Sequence, residues 1–196
     1  MRNPSIRIIA IALVGASALI ASAERQASAN PAYTEKATGM SFPATIGLLA
    51  FEGAEEYEDE RYGVGIKYST NGVAATLYVY NAGLKSIPSG FESPVHKDAM
   101  DMAVNDIKEV SRQGQYQDLV FGREEVVDLA GNGGTHRARH ISLAYAFQDT
   151  RWHSHIFVLG YKNRLVKVRF SYVDELRTTG EEQLEVLTKW LDGVMK

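Results

Sequence analysis

Residues 61–81 read RYGVGIKYSTNGVAATLYVYN, and this stretch decides the fold. Tyr62, Val64, Ile66 and Tyr68 alternate, Asn71-Gly72 supplies a tight turn, and Ala75, Leu77 and Val79 alternate on the return, which is the pattern of a β-hairpin with one apolar face. With Asn71 and Gly72 as the loop, Gly63 falls opposite Tyr80 and Gly65 opposite Tyr78. Two tyrosine rings would then cover the bare backbone of two glycines.

Downstream, Ser93-Pro94 is a helix start, with Ser as N-cap and Pro in the first turn. Ala99, Ala103, Ile107 and Val110 follow at helical spacing up to Gly114. The stretches Leu119 to Leu129, His136 to Phe147, Trp152 to Tyr161 and Arg164 to Tyr172 are rich in β-branched and aromatic residues. They are separated by Gly131 to Gly134, Gln148 to Thr150 and Lys162-Asn163, so they read as an antiparallel meander. Thr178 and Thr179 stand at capping-box spacing from Glu181 and Glu182. They open a last helix with an apolar stripe of Leu184, Leu187, Leu191 and Val194, flanked by Trp190. The late strands carry apolar residues on both faces, and a sheet buried on both sides needs two covering layers. The expected class is α+β, a three-layer α/β/α sandwich with a mainly antiparallel sheet.

Upstream, residues 1–23 place Arg2 and Arg7 before an apolar run from Ile8 to Ile20 and the small-residue ending Ala21-Ser22-Ala23. This is the form of a secretory signal peptide cleaved after Ala23, and the run is shorter than the ~20 residues of a membrane span. Residues 24–41 lack apolar periodicity and read as a flexible leader, which leaves 42–196 as one domain. The whole chain has 196 residues, 21 Lys plus Arg against 24 Asp plus Glu, and no Cys. Loss of Arg2 and Arg7 with the signal takes the formal net charge from −3 to −5. That balance gives no reason to expect nucleic acid or membrane insertion after cleavage. A cysteine-free exported chain also excludes disulfides, thiolate metal sites and cysteine nucleophiles, and suits a bacterial periplasm.

Phe42-Pro43-Ala44-Thr45-Ile46-Gly47, the strand from Tyr62 to Tyr68 and the strand Ala75-Thr76-Leu77-Tyr78-Val79-Tyr80 together resemble uncharacterised secreted bacterial proteins with a Mog1/PsbP-like α/β/α sandwich. The resemblance spans most of residues 42–196, and its motifs are structural. It implies a non-catalytic accessory or binding module. Members of that superfamily bind a GTPase or help photosystem assembly, and neither partner suits an exported protein with this signal. No functional residue is carried over.

Among chemistry-bearing groups, His136, His140, His153 and His155 lie within twenty residues. In a strand, His153 and His155 point to one side about 7 Å apart, close enough to share zinc or another transition metal if the side chains converge. With Asp149-Thr150 as the turn, His155 falls opposite Ala144 and His153 opposite Ala146, leaving His140 several residues further up its strand. Glu124 and Glu125 are the nearest sequence candidates for a third ligand. The alternative is a row of ordinary half-buried strand histidines.

The acids from Glu52 to Glu60 lack the alternate spacing of a calcium loop and read as a solvated edge. Gly131 to Thr135 lacks the Lys-Ser/Thr ending of a phosphate loop, and no GxSxG, HExxH or SxxK motif occurs. Lys167 and Arg169 share a side with Ile156 and Val158 if Lys162-Asn163 is the turn. They form either an anion-binding or partner face, or a charged edge that discourages strand addition. Tyr78 and Tyr80 either line a ligand groove or simply shield the two glycines.

The expected function is therefore an exported, non-enzymatic accessory or binding protein of the bacterial cell envelope, taking an envelope protein or a small ligand as partner and no cofactor. The alternative is a periplasmic metal-binding protein or metal-dependent hydrolase using His153 and His155.

Overall fold

A computed structural model of the chain describes residues 31–131 and 133–196. The expected signal peptide over residues 1–23, its expected cleavage after Ala23 and residues 24–30 of the expected leader lie outside the described residues. The strands are β1 (Tyr33–Thr34), β2 (Ser41–Phe42), β3 (Thr45–Ile46), β4 (Leu49–Glu56), β5 (Val64–Thr70) and β6 (Val73–Tyr80), followed by helix α1 (Pro94–Arg112). Then come β7 (Gln117–Phe121), β8 (Glu125–Asp128), β9 (Arg137–Phe147), β10 (Thr150–Tyr161), β11 (Arg164–Val173), a 3-10 turn at Asp174–Leu176 and helix α2 (Arg177–Val194). Among the described residues nine strands form one antiparallel sheet in the order β3-β4-β5-β6-β11-β10-β9-β7, with β8 also on β9, and β1 and β2 pair separately.

The β5–β6 hairpin has the expected register. Thr70 pairs with Val73 across Asn71-Gly72, and Gly65 pairs with Tyr78, whose ring lies over the glycine. Ser93 caps α1 by accepting from the Val95 N–H at 3.3 Å, and Ala99, Met100, Ala103, Ile107 and Val110 bury one stripe. Two apolar clusters occupy the two faces of the sheet. Under α2 lie Ile66, Tyr68, Leu77, Phe157, Val168 and Phe170 with Leu187 and Leu191. Under α1 lie Ile141, Leu143, Tyr145, Ile156, Val158 and Leu165. The protein is thus an α+β sandwich of helix, antiparallel sheet and helix.

Four features depart from the sequence reading. Residues 33–41 are folded and not a free leader. β1 pairs with β2, and Met40 and Phe42 are fully buried against the α2-side core because the ribbon offers two large apolar side chains to a face that needs covering. The Leu119 to Leu129 stretch is two strands, with Gly122 to Glu124 between them, since the chain crosses Ser142 at Gly122 with an N–H donated to the Ser142 carbonyl at 2.8 Å. The capping box does not form. The 3-10 turn runs directly into α2, so Thr178 and Thr179 sit inside the helix, and no side chain caps it. Finally, α1 packs chiefly on β10, β9 and β7. Among the described residues no helix lies over the α1-side surface of β4, β5 and β6, and Lys67, Thr76, Tyr78 and Tyr80 on it are half-exposed.

One close approach joins the loop before α1 to the sheet. Gly160 donates to the Gly90 carbonyl at 2.6 Å and accepts from the Gly90 N–H at 2.9 Å. A Cβ at residue 160 would fall on the Pro88 carbonyl oxygen and lie 2.6 Å from His96 Nε2. Backbone cannot yield there as a flexible side chain can. We expect Gly160→Ala to cost about 3 kcal/mol in urea unfolding through overpacking; a loss below about 1 kcal/mol would contradict this packing.

Candidate functional site

The β9–β10 turn determines which groups meet. Gln148 and Asp149 both take left-handed backbone, at φ 50° and 60°, so the two loop residues are 148 and 149 and not 149 and 150. Phe147 therefore pairs with Thr150, which places His155 opposite Ser142 and His153 opposite Ala144. The register shifts by two residues from the sequence expectation. His140, opposite Phe157, becomes the diagonal neighbour of His155.

On the α2 side of the sheet the imidazoles form a row. His140 Nδ1 lies 3.1 Å from Glu125 Oε1, and His140 Nε2 lies 3.0 Å from His155 Nδ1, with the two rings 10° from parallel. An ionised carboxylate only accepts, so His140 donates through Nδ1 and its Nε2 accepts from His155 Nδ1–H. His155 Nε2 is then left as a lone pair at the groove between α2 and β8–β9. This groove encloses about 380 Å³ and is lined by His140, His155, Glu125, Glu181, Glu185 and Thr188 among others. Burial pushes His155 down to about 4, with the neighbouring His140 and His153 acting in the same direction, and burial also lowers His140 against the pull of Glu125.

His153 shares the face but addresses a different partner. Its Nε2 lies 2.6 Å from Asp174 Oδ1, a carboxylate that also pairs with Arg177. The structure thus directs His153 and His155 to separate neighbours, and among the described residues no three His, Asp or Glu side chains converge where a metal ion would sit. Glu124 and Glu125 point to opposite faces, the first pairing with Arg139 at 2.6 Å and the second with His140. His136 is tied to Asp192 of α2 at 3.1 Å. His96, outside the cluster, is fully buried beside the Pro88 carbonyl.

The second constellation lies across the sheet. Lys162 and Asn163 also close a two-residue turn, at φ 45° and 60°, so Lys167 pairs with Val158 and Arg169 with Ile156 as expected. Their strand is not an edge. β11 lies between β6 and β10, so an edge-protecting role for these charges is ruled out by the strand order. Both side chains rise from the middle of the sheet beside the flank of α1, at the boundary between the covered and open halves.

Arg169 donates from Nη2 to the Tyr116 hydroxyl at 3.1 Å and the Tyr145 hydroxyl at 3.4 Å, and from Nε to Ser154 Oγ at 3.5 Å. Lys167 Nζ stands 4.4 Å from the centroid of Tyr78 and 5.8 Å from that of Tyr80. Neither cation has a carboxylate within ion-pair distance among the described residues, in contrast to Lys67, which holds Glu55 at 2.8 Å. The acid whose charge Lys167 feels is Asp106 on α1, and burial lowers the Lys167 ammonium from its usual range despite it.

This frame is similar to a solved structure. It matches the solution structure of cyanobacterial PsbP from Synechocystis sp. PCC 6803 at a TM-score of 0.41 and 15% identity, covering 68% of this chain and 76% of that one. No protein-family model matches the chain, and no curated protein aligns with it.

Sequence spacing found His153, His155, Lys167 and Arg169 but missed three partners. Tyr116, Tyr145 and Asp174 come from separate elements, and no local periodicity links them to the groups they touch. The wrong turn choice also hid the His140–His155 contact.

The histidine row has a consequence for acid stability. An unfolded imidazole binds its proton near about pH 6.5, whereas folded His155 stays neutral down to about pH 4, so the unfolded state holds more protons between those values. Stability is therefore full above the upper value and declines as pH falls through the window. We expect the melting temperature to drop between about pH 7 and pH 5, and His155→Gln to flatten that slope. Equal slopes in the two proteins would show that His155 does not carry the effect.

Proposed function

We propose that this protein is an exported, non-enzymatic binding module of the bacterial cell envelope, acting in the periplasm, and that its working surface is the sheet face left open by α1. One observation carries the reading. The open half is furnished with half-exposed tyrosines, a threonine and cations in fixed register, whereas the α2 side is packed with apolar side chains apart from the histidine row at one end. A sheet face left free of a helix and lined with hydrogen-bonding and cationic groups is one that a ligand or partner can complete.

Several features support the same reading. The amino-terminal sequence has the form of a secretory signal, and the absence of Cys leaves nothing for an oxidising compartment to cross-link. Tyr78, Tyr80 and Tyr116, each half-buried, give an aromatic surface with polar tips, a composition enriched where proteins bind other molecules. Thr76 pairs with Arg169 and Lys67, so it marks the middle of this face.

Two measurements test the proposal. Mass analysis of chain exported from an expressing bacterium is expected to give a product beginning at Glu24; an intact amino terminus in the envelope fraction would refute the cleavage. For the face, a photo-crosslinking amino acid at Thr76, compared with one at Glu182 on the exposed side of α2, is expected to capture a bound molecule in the envelope at Thr76 alone. Equal capture at both positions, or capture only at Glu182, would overturn the assignment of the working face.

A further inference from the structure

We propose that Lys167 and Arg169 form a binding site for the phosphate group of a small solute. The inference rests on the open face being the working surface. Removing a charge from water is costly unless a partner replaces the lost hydration, and long cationic side chains are seldom placed in the middle of a sheet without an acid to meet them. Here two stand side by side on one strand. Tyrosine faces hold the Lys167 ammonium in place and tyrosine hydroxyls hold one side of the Arg169 guanidinium. Neither arrangement neutralises a charge.

The free donors point to the ligand. Among the described residues Lys167 Nζ donates to no acceptor, and Arg169 uses Nε and Nη2 while Nη1 has no partner. Both side chains are half-buried, so neither is sealed from solvent. An ammonium offers three donors and Nη1 two, which suits a group with several acceptor oxygens. Lys167 and Arg169 share one face of β11 with their Cα atoms about 7 Å apart, and the Arg169 charge acts against the Lys167 ammonium, so an anion seated between the two side chains relieves that repulsion and accepts from both. Lys67 is already engaged by Glu55, and Asp106, the remaining acid near the pair, leaves the site net positive in a chain whose formal charge is −3. That local inversion of sign favours an anion.

The purified protein is titrated with inorganic phosphate and with glycerol 3-phosphate at constant ionic strength, followed by melting temperature and by amide resonances. Both probes are expected to raise the melting temperature in a saturable way and to shift the resonances of Tyr78, Lys167 and Arg169 together. Lys167→Met is expected to weaken the affinity about tenfold or more, the scale of one charge-assisted hydrogen bond. If that variant does not fold, the resonance map of the unaltered protein decides. No saturable response, shifts that map elsewhere, or a response equalled by chloride overturns the proposal, as does binding seen only with phosphatidylglycerol vesicles. Loss of the phosphate response while Thr76 still captures a molecule would refute the oxyanion and leave the open face standing. Phosphate binding with capture only at Glu182 would refute the open face as the envelope-binding surface instead.

Discussion

The placement of the histidine row and of the Lys167–Arg169 pair depends on two turns, each of two residues and each built without glycine. In Gln148-Asp149 and Lys162-Asn163 both members take left-handed backbone, the twist that matches a right-handed β ribbon. A strand's side chains alternate with a period of two, so a loop one residue longer would invert the faces of everything beyond it. Two-residue loops put Phe157, Val168 and Phe170 under α2, and they also put Lys167 and Arg169 on the opposite face of the sheet. The apolar core and these half-buried cations are consequences of one register. Asn163 adds a reason for the turn to hold, since its Oδ1 accepts from the Ile87 N–H at 2.7 Å and fixes the turn against the chain leading to α1.

The same alternation explains the histidines. His153 and His155 share a parity with Phe157, Leu159 and Tyr161, so they are carried onto the apolar face at the end that α2 does not fully cover. There they stack with Tyr172, at ring separations of 5.3 and 6.0 Å, and continue through His140 to Phe157. A proton added to His155 or His140 would place a charge among buried ring faces that pack by dispersion, and burial therefore holds both imidazoles low. Glu125 at one end and Asp174 at the other anchor the row to the sheet edge and to the entry of α2.

Much of this architecture was legible in the sequence because its signals are local. The β5–β6 register, with Gly65 opposite Tyr78, followed from Asn71-Gly72, and the start of α1 followed from Ser93-Pro94. Signals failed where a distant contact overrode a local pattern. Thr178 and Glu181 have capping-box spacing, but the 3-10 turn delivers the chain already helical, so no extended residue remains to cap. Residues 33–41 have no periodicity, yet Met40 and Phe42 are buried because tertiary packing of two large side chains needs no repeat. At residues 148–150 the sequence offered two adjacent pairs of polar residues, and only the backbone geometry chooses between them.

The uncovered half-face follows from a limit on length and composition. α1 has 19 residues, and a helix of that size spans roughly 28 Å, while its stripe of Ala99, Ala103 and Ile107 lets it lie close over β9 and β10. One helix about 10 Å wide cannot also cover β4, β5 and β6, whose strands lie about 5 Å apart. The chain meets that shortfall by changing the residues instead of adding a layer. Gly65, Thr76, Tyr78 and Tyr80 take the positions that Ile66, Leu77 and Val79 would take on the other side. At the boundary stand Lys167, whose head lies over the tyrosines of the open half, and Arg169, whose head turns to Tyr116, Tyr145 and Ser154 beside α1, while the aliphatic stems of both continue the covered core. An apolar pair at those positions would extend the core more cheaply. The retention of two cations there, bounded by tyrosines that orient but do not neutralise them, is what distinguishes this face from an incompletely covered sheet.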